Sequence, residues 1–235
     1  MDIVYVVGPS RTHDDLRHSL RTVATHVPHD NIFISGDIPA WTRNIIPLPS
    51  PERQHRGRHI EAAANLYRAC KDKRVSETFA LFNDDMFAMQ TIGQLENYHF
   101  GAIKKVLKLY EQTNSKYTRN MHKTFELCQT LQTPTLFSYE LHVPFVGEKT
   151  RWLKILDMQQ QHLTDIPRLQ IRTLYGNYYQ VEAKQIDDTK IYGKKDPGPP
   201  NTTWLSTDAR TWDHAAGDRI RAAFPEPCIY ERNTR

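Results

Sequence analysis

Apolar runs alternate with an amphipathic stretch at the start of the chain. Residues 2–7 form an almost unbroken apolar run, which is typical of a strand buried on both faces of a sheet. Leu16, Leu20 and Val23 recur at helical spacing, and residues 31–37 form a second apolar run. The order strand, helix, strand, with a crossover of this length, predicts a parallel pair.

A third apolar run, residues 79–82, ends on Asn83, Asp84 and Asp85. In open α/β sheets, ligands bind beyond the carboxyl ends of the strands. Mg²⁺ and Mn²⁺ prefer oxygen ligands and are commonly held by one or two carboxylates together with substrate phosphates. We therefore predict a divalent cation on Asp84 and Asp85. Alternatively, Asn83, Asp84 and Asp85 only form a turn, because Asn and Asp favour strand ends.

The rest of the pattern is mostly helical. We predict helices over residues 60–71, 148–161 and about 212–224, and a helical insertion over about 100–133. Residues 180–203 are charged and then rich in proline, which predicts a surface loop. A chain of 235 residues with 39% hydrophobic residues can bury one sizeable core, so we predict a single catalytic domain over residues 1–235.

Several segments, in order along the chain, resemble the sequence blocks of the Stealth family. Residues 2–7, 14–21, 32–41, 45–47 and 82–87 resemble its first two blocks. His142-Val143-Pro144 resembles the His-x-Pro of its third block, residues 171–179 resemble the arginine and tyrosines downstream, and residues 204–208 resemble a degenerate fourth block. The family contains sugar-1-phosphate transferases of microbial capsule synthesis and the lysosomal-enzyme N-acetylglucosamine-1-phosphotransferase.

The resemblance implies a fold and a reaction. The implied fold is α/β, with a glycosyltransferase-A-like or Rossmann-like, mostly parallel sheet flanked by helices. The implied reaction moves sugar-1-phosphate from a nucleotide-activated sugar to an acceptor hydroxyl, with Mg²⁺ or Mn²⁺ as cofactor. Residues 7–10 replace the family's Trp-Val-Asp/Asn-Gly, and Thr207-Asp208 replaces its Asn-Asp. Metal-dependent transfer of the sugar alone therefore stays open as an alternative.

The predicted catalytic residues are Asp85, His142, Arg172 and Asp208. A histidine could accept the proton of an acceptor hydroxyl or steady a phosphate oxygen, although a lone histidine is more often structural. Arg172 offers a planar cationic fork for phosphate, although most arginines only bridge surfaces. Asp208 could complete the metal shell, orient the acceptor or merely cap a helix.

The predicted donor-binding residues surround the first strand and helix. Gly8 follows the strand, and a glycine there lets the backbone approach a ligand. We place the nucleoside near the stretch from Val7 to Arg11 and the diphosphate near Arg17, Arg21 and the metal. The full set of predicted donor contacts is Val7, Gly8, Arg11, Arg17, Arg21 and Asn83.

Charge and composition leave a rival class open. The net charge is +4 and is spread along the chain, which suits an anionic substrate or nucleic acid. The 24 aromatic residues (Phe 9, Tyr 11, Trp 4) could serve a nucleic-acid-binding protein without catalysis, although most lie in apolar periodic segments. A transferase with a modified DNA base as acceptor would combine both features.

Three dispersed cysteines without metal-ligand spacing predict a reducing compartment, hence the cytoplasm. We predict neither a signal peptide nor a membrane span.

Overall fold

The computed structural model describes residues 1–10, 12–50, 58–110, 112–113, 115–132, 136–161 and 168–232. The strands are β1 (Asp2–Val7), β2 (Ile32–Gly36), β3 (Ile46–Pro49), β4 (Thr78–Asn83), β5 (Met86–Ala88), β6 (Tyr98–His99), β7 (Phe145–Glu148), β8 (Lys184–Gln185) and β9 (Trp204–Ser206). The helices are α1 (Asp14–His26), α2 (Arg58–Lys71), α3 (Ile103–Leu109), α4 (Lys116–Thr130), α5 (Lys149–Gln161), α6 (Ile171–Tyr178) and α7 (Ala215–Ala223). Among the described residues, no helix has both the length and the apolar character that a membrane crossing requires.

The chain divides into two compact units. The first comprises Met1–Leu95, His142–Gly147 and Thr189–Arg235, and the second comprises Glu96–Leu141 and Glu148–Asp188. The prediction of a single catalytic domain stays a prediction. The helices expected over about 100–133 are present as α3 and α4.

A five-stranded sheet forms the centre of the first unit. Its strand order is β3-β2-β1-β4-β7, and β1 runs parallel to both β2 and β4. Val4 is aligned with Phe33 on one side and with Leu81 on the other. The predicted parallel β1-α1-β2 unit and the α/β class, with a mostly parallel sheet flanked by helices, are confirmed.

The burial of each strand follows its sequence. All six residues of β1 are buried, which explains its continuous apolar run, since an interior parallel strand is covered on both faces. β3 carries Pro47 and Pro49, which cannot donate to a neighbouring strand. The structure places this strand at the edge of the sheet, where a missing donor is tolerated.

Hydrogen bonds fix α1 beside β5, the short strand that follows the two aspartates. The Ser19 hydroxyl donates to the carbonyl of Met86 at 2.5 Å. The Ala88 amide donates to the Thr22 hydroxyl at 3.0 Å, and the hydroxyls of Tyr5 and Ser19 are 2.9 Å apart. These buried bonds hold the start of β5, and therefore the aspartates before it, in a defined place relative to α1.

The predicted surface loop at residues 180–203 is wrong in its middle part. The Ile191 amide donates to the Ser206 carbonyl at 2.8 Å, and the Ser206 amide donates to the Thr189 carbonyl at 3.1 Å. Ile191 is buried in a cluster with Phe87 and Leu205. Pairing with β9 thus draws this charged segment into the core, which local composition does not reveal.

The second unit is mainly helical. It contains α3, α4, α5 and α6 and the short parallel pair β6-β8. Trp152 is fully buried, and its ring centroid lies 4.3 Å from that of Tyr175. Phe137 forms an isolated antiparallel bridge with Ala102.

Gly36, at the end of β2, is expected to resist substitution. Its φ is +122°, and an added Cβ would lie 2.0 Å from the Val7 carbonyl oxygen and 2.4 Å from Nδ2 of Asn65. We expect Gly36→Ala to lower the free energy of unfolding by about 2–3 kcal/mol, because strained backbone and a steric clash act together. Urea unfolding measures this change.

Gly8→Ala is the matched control, because an added Cβ at Gly8 meets no described atom within 4 Å. It should change the unfolding free energy by less than about 0.5 kcal/mol. Equal losses in the two variants would contradict the assigned role of Gly36.

Candidate functional site

Three chain segments meet at the carboxyl edge of the central sheet. β4 ends at Asn83, and Asp84 and Asp85 form the turn that leads into β5. Asn83 is aligned with Val6 near the end of β1, and α1 begins at Asp14 after the connection from β1. The structure thus contains the turn that the sequence allows, at the edge where α/β sheets bind ligands. The cation on Asp84 and Asp85 stays a prediction.

The turn carries concentrated negative charge. The pKa of Asp84 is raised well above its ordinary value, first by burial and then by the charges of Asp15 and Asp85. Asp15 lies in the first turn of α1, and burial together with the Asp85 charge also raises its pKa. Asp15, Asp84 and Asp85 thus form one cluster of carboxylates, which we call the acidic cluster.

Lys190 adds one positive charge to the acidic cluster. Its Nζ lies 3.0 Å from Oδ2 of Asp85, and the two side chains are 10% and 19% exposed. The other carboxylate oxygen of Asp85, Oδ1, is buried without a hydrogen-bond partner among the described residues. The Thr207 amide donates to the Asp85 carbonyl at 3.3 Å and closes the turn from the side of β9.

The acidic cluster fits a divalent cation of the kind that phosphates help to hold. The described residues contain no group of three or more His, Cys, Asp and Glu side chains arranged as a metal site. A Mg²⁺ or Mn²⁺ site completed by substrate phosphates and water needs only one or two protein carboxylates, however. A bound cation would offset the burial and the neighbouring carboxylates that raise the pKa of Asp84, and it would give Oδ1 of Asp85 a partner.

The connection after β1 leaves room beside Gly8. Gly8 is half-buried, and no described atom lies within 4 Å of the position that a side chain would occupy. The Val7 carbonyl already accepts from the Asp37 amide and from Nδ2 of Asn65, both at 3.1 Å. The Val7 carbonyl is therefore engaged within the protein, whereas the space beside Gly8 could admit a ligand. Arg11 lies outside the described residues.

His13, just before α1, has an unusual conformation. Its φ of 51° and ψ of 37° lie in the left-handed region, which is uncommon for histidine. Its Nε2 lies 3.2 Å from Oδ2 of Asp37, and its Nδ1 is buried without a partner in the described part of the chain. Such strain is often found at functional sites.

Comparisons with known proteins do not assign a family. No protein-family model and no curated protein matches the sequence. Two solved structures of the glycosyltransferase GlyE from Streptococcus pneumoniae TIGR4, one of them the apo form, resemble this chain with a TM-score of 0.41. The sequence identities are 8% and 7%, and the matches cover 80% of this chain and 46% and 45% of the GlyE chains.

This chain thus spans less than half the length of the GlyE structures, and a likeness of this size supports no functional conclusion. The Stealth resemblance stays a hypothesis that rests on the sequence blocks.

The two arginines of α1 differ in their surroundings. The guanidinium of Arg21 donates to both carboxylate oxygens of Glu231, at 2.7 and 2.9 Å, and to the carbonyls of Phe224 and Pro225. These contacts occupy the predicted phosphate ligand Arg21 in a structural role. Arg17 is about one-third exposed; its Nε lies 3.5 Å from Oε2 of the same Glu231, and its guanidinium lies 4.7 Å from the centre of the Trp41 ring.

His142 and Asp208 lie in the first unit with the acidic cluster. The Thr189 hydroxyl donates to the His142 carbonyl at 2.8 Å, which ties His142 to the segment that carries Lys190. The pKa of Asp208 is lowered, chiefly by hydrogen bonds from Arg210 and to a smaller extent by the charge of Lys190. Asp208 is therefore within electrostatic reach of Lys190, although Arg210 holds its carboxylate at 2.6 Å.

Arg172 belongs to the second unit, at the start of α6. It is 7% exposed, and its Nη1 donates to the Leu141 carbonyl at 2.9 Å. The Glu140 carboxylate accepts from the backbone amides of Arg172 and Thr173. Within the second unit, Arg172 thus links α6 to residues 140 and 141.

Sequence reasoning misses two members of the site. By its local pattern, Asp15 is only an acid that stabilises the start of α1, although the first helix after a β1 strand begins at the ligand-binding edge. Lys190 lies in the segment for which the composition predicts a surface loop. No local signal distinguishes it from nearby lysines such as Lys194 and Lys195.

Proposed function

We propose that this protein is a transferase that uses a nucleotide-activated sugar and moves sugar-1-phosphate to an acceptor hydroxyl. One observation carries the proposal: the acidic cluster of Asp15, Asp84 and Asp85 lies at the carboxyl edge of the sheet, where β4 ends next to β1. This is where an α/β sheet receives a phosphorylated ligand. The Stealth resemblance supplies the reaction type.

Each side chain of the site has a defined task in this proposal. Asp84 and Asp85 would hold a Mg²⁺ or Mn²⁺ ion, which would supply charge neutralisation for the donor diphosphate and the leaving group. Gly8 lets the backbone approach the nucleoside. Arg17 remains a candidate contact for phosphate, and His142 is the candidate base for the acceptor hydroxyl.

The bond that breaks decides between two outcomes. If the acceptor oxygen attacks the β-phosphorus, the bond from that phosphorus to the bridging oxygen breaks. A nucleoside monophosphate leaves, and a sugar phosphodiester forms. If the oxygen attacks the anomeric carbon instead, a nucleoside diphosphate leaves and only the sugar is transferred. Either way the acceptor hydroxyl gives up its proton, which needs a base.

A thermal-shift screen of nucleotide sugars with and without Mn²⁺ tests the proposal. We expect at least one donor to stabilise the protein only when Mn²⁺ is present. At a ligand concentration about a hundred times Kd, the stabilisation should be about 2.7 kcal/mol. Product analysis with that donor then separates release of a monophosphate from release of a diphosphate.

The matching nucleosides, with Mn²⁺ and without phosphate groups, serve as controls and should give a much smaller shift. If no donor in a panel of uridine, guanosine, cytidine and thymidine sugars gave a shift that depends on Mn²⁺, the proposal would fail.

A further inference from the structure

The side chain of Lys190 is largely covered beside Asp85 and takes no part in the chemistry proposed above. We infer that Lys190 is a binding residue for the donor diphosphate, acting next to the cation site. This inference rests on the proposed function and adds a second positive group to the same site. It concerns the ammonium group, whose Nζ lies 3.0 Å from Oδ2 of Asp85.

The backbone around Lys190 is firmly held. Lys190 forms a parallel bridge with Ser206, and its neighbours Thr189 and Ile191 exchange hydrogen bonds with the same residue. The Thr189 hydroxyl also donates to the His142 carbonyl. The side chain therefore starts from a fixed point between β9 and the His142 segment, which limits the positions that its ammonium group can reach.

The ammonium group has more donors than acceptors. A lysine ammonium carries three N–H donors. Among the described residues, a single hydrogen bond holds it, to Asp85, while the side chain is 10% exposed. Burying a charged group with donors unsatisfied is costly, and such groups are usually paired. Two donors thus remain for a ligand, in a site where Oδ1 of Asp85 also lacks a partner among those residues.

A diphosphate suits these donors better than a neutral group would. Phosphate oxygens accept several hydrogen bonds each, and lysine binds them as a compact point charge. A ligand phosphate held at Asp85 through a cation would lie close to Lys190, because the Lys190 ammonium already touches that carboxylate. The simpler alternative is that Lys190 only neutralises Asp85.

Calorimetry on wild type, Lys190→Gln, Lys190→Met and Lys190→Arg separates the two roles. The probes are MnCl₂ alone, and uridine, guanosine, cytidine and thymidine diphosphates in the presence of MnCl₂. We expect Lys190→Gln and Lys190→Met to bind the preferred diphosphate about tenfold more weakly, or worse, because one charged hydrogen bond is lost. Binding of Mn²⁺ alone should become tighter, because a competing positive charge is removed.

Lys190→Arg keeps the charge and should retain most of the diphosphate affinity. Opposite shifts for the metal and the diphosphate cannot arise from partial unfolding, which weakens both. Lys190→Met, whose apolar side chain has a similar length, guards against a folding defect specific to Lys190→Gln.

Two results overturn the inference in distinguishable ways. If the wild type binds a diphosphate with Mn²⁺ and both neutral variants bind it equally well, Lys190 is structural and the proposed function stands. If the wild type binds none of the four diphosphates, the proposed function fails, and the role of Lys190 fails with it.

Discussion

Glu231→Ala is expected to lower the free energy of unfolding by about 3–5 kcal/mol, because it leaves the buried guanidinium of Arg21 without its counter-charge. The two side chains are 9% and 5% exposed and are joined by a pair of hydrogen bonds. The Cys228 amide also donates to Oε1 of Glu231 at 3.0 Å. Removing the carboxylate therefore leaves several donors unsatisfied at once.

The ion pair between Arg21 and Glu231 also connects the C-terminal segment to α1. Arg21 donates to the carbonyls of Phe224 and Pro225, just after α7. Urea unfolding of the wild type and the variant measures the loss. The matched control is Asp218→Ala, which removes an ion pair to Arg221 at 2.7 Å with a carboxylate that is 71% exposed. The control should lose no more than about 1 kcal/mol.

The pH dependence of stability gives a second test of the ion pair between Arg21 and Glu231. Burial acts to raise the pKa of Glu231, but hydrogen bonds from Arg21 and Cys228 outweigh it and hold the pKa below its ordinary value. A carboxylate whose pKa is lower in the folded state stabilises the protein above its unfolded pKa, and this stability is lost as pH falls through the folded pKa. The difference between wild type and Glu231→Gln should therefore shrink below about pH 4.5. A difference that stays constant down to about pH 3 would contradict this role.

The sequence predicts the sheet edge well because its signals are local. Residues 2–7, 31–37 and 79–82 are apolar runs that become buried strands, and Asp84 and Asp85 follow one of them directly. The fold class follows from the order of these elements. None of these features needs a contact between distant residues to be recognised.

Contacts between distant parts of the chain are what the sequence does not reveal. The pattern around Arg21 predicts a phosphate contact, yet its partner Glu231 is 210 residues away. Asp85 and Lys190 are 105 residues apart. Asn65, a polar residue within the helix predicted over residues 60–71, is buried and donates to the Val7 carbonyl. In each case neighbours in sequence suggest one role for a polar side chain, whereas pairing across the fold sets another.

Asp84→Asn should abolish most of the donor binding and most of the activity while leaving the protein folded. The variant keeps the shape of the side chain and removes the charge that would hold the cation. The stabilisation of the protein by a nucleotide sugar with Mn²⁺ should disappear. With an identified acceptor, kcat/KM should fall by about a hundredfold or more, which corresponds to about 2.7 kcal/mol of transition-state stabilisation. Asp218→Asn, on the exposed side of α7, should retain both properties.

The stability of the ligand-free protein should move in the opposite direction. Burial and the charges of Asp15 and Asp85 raise the pKa of Asp84, so the ionised form is disfavoured by folding. At about pH 7 the carboxylate therefore costs stability, and the neutral amide side chain of the variant avoids that cost. Asp84→Asn should consequently unfold at an equal or higher urea concentration than the wild type. If the variant keeps or gains stability but no longer binds the donor, the Asp84 carboxylate serves ligand binding. If the variant loses both stability and donor binding, Asp84 supports the fold instead.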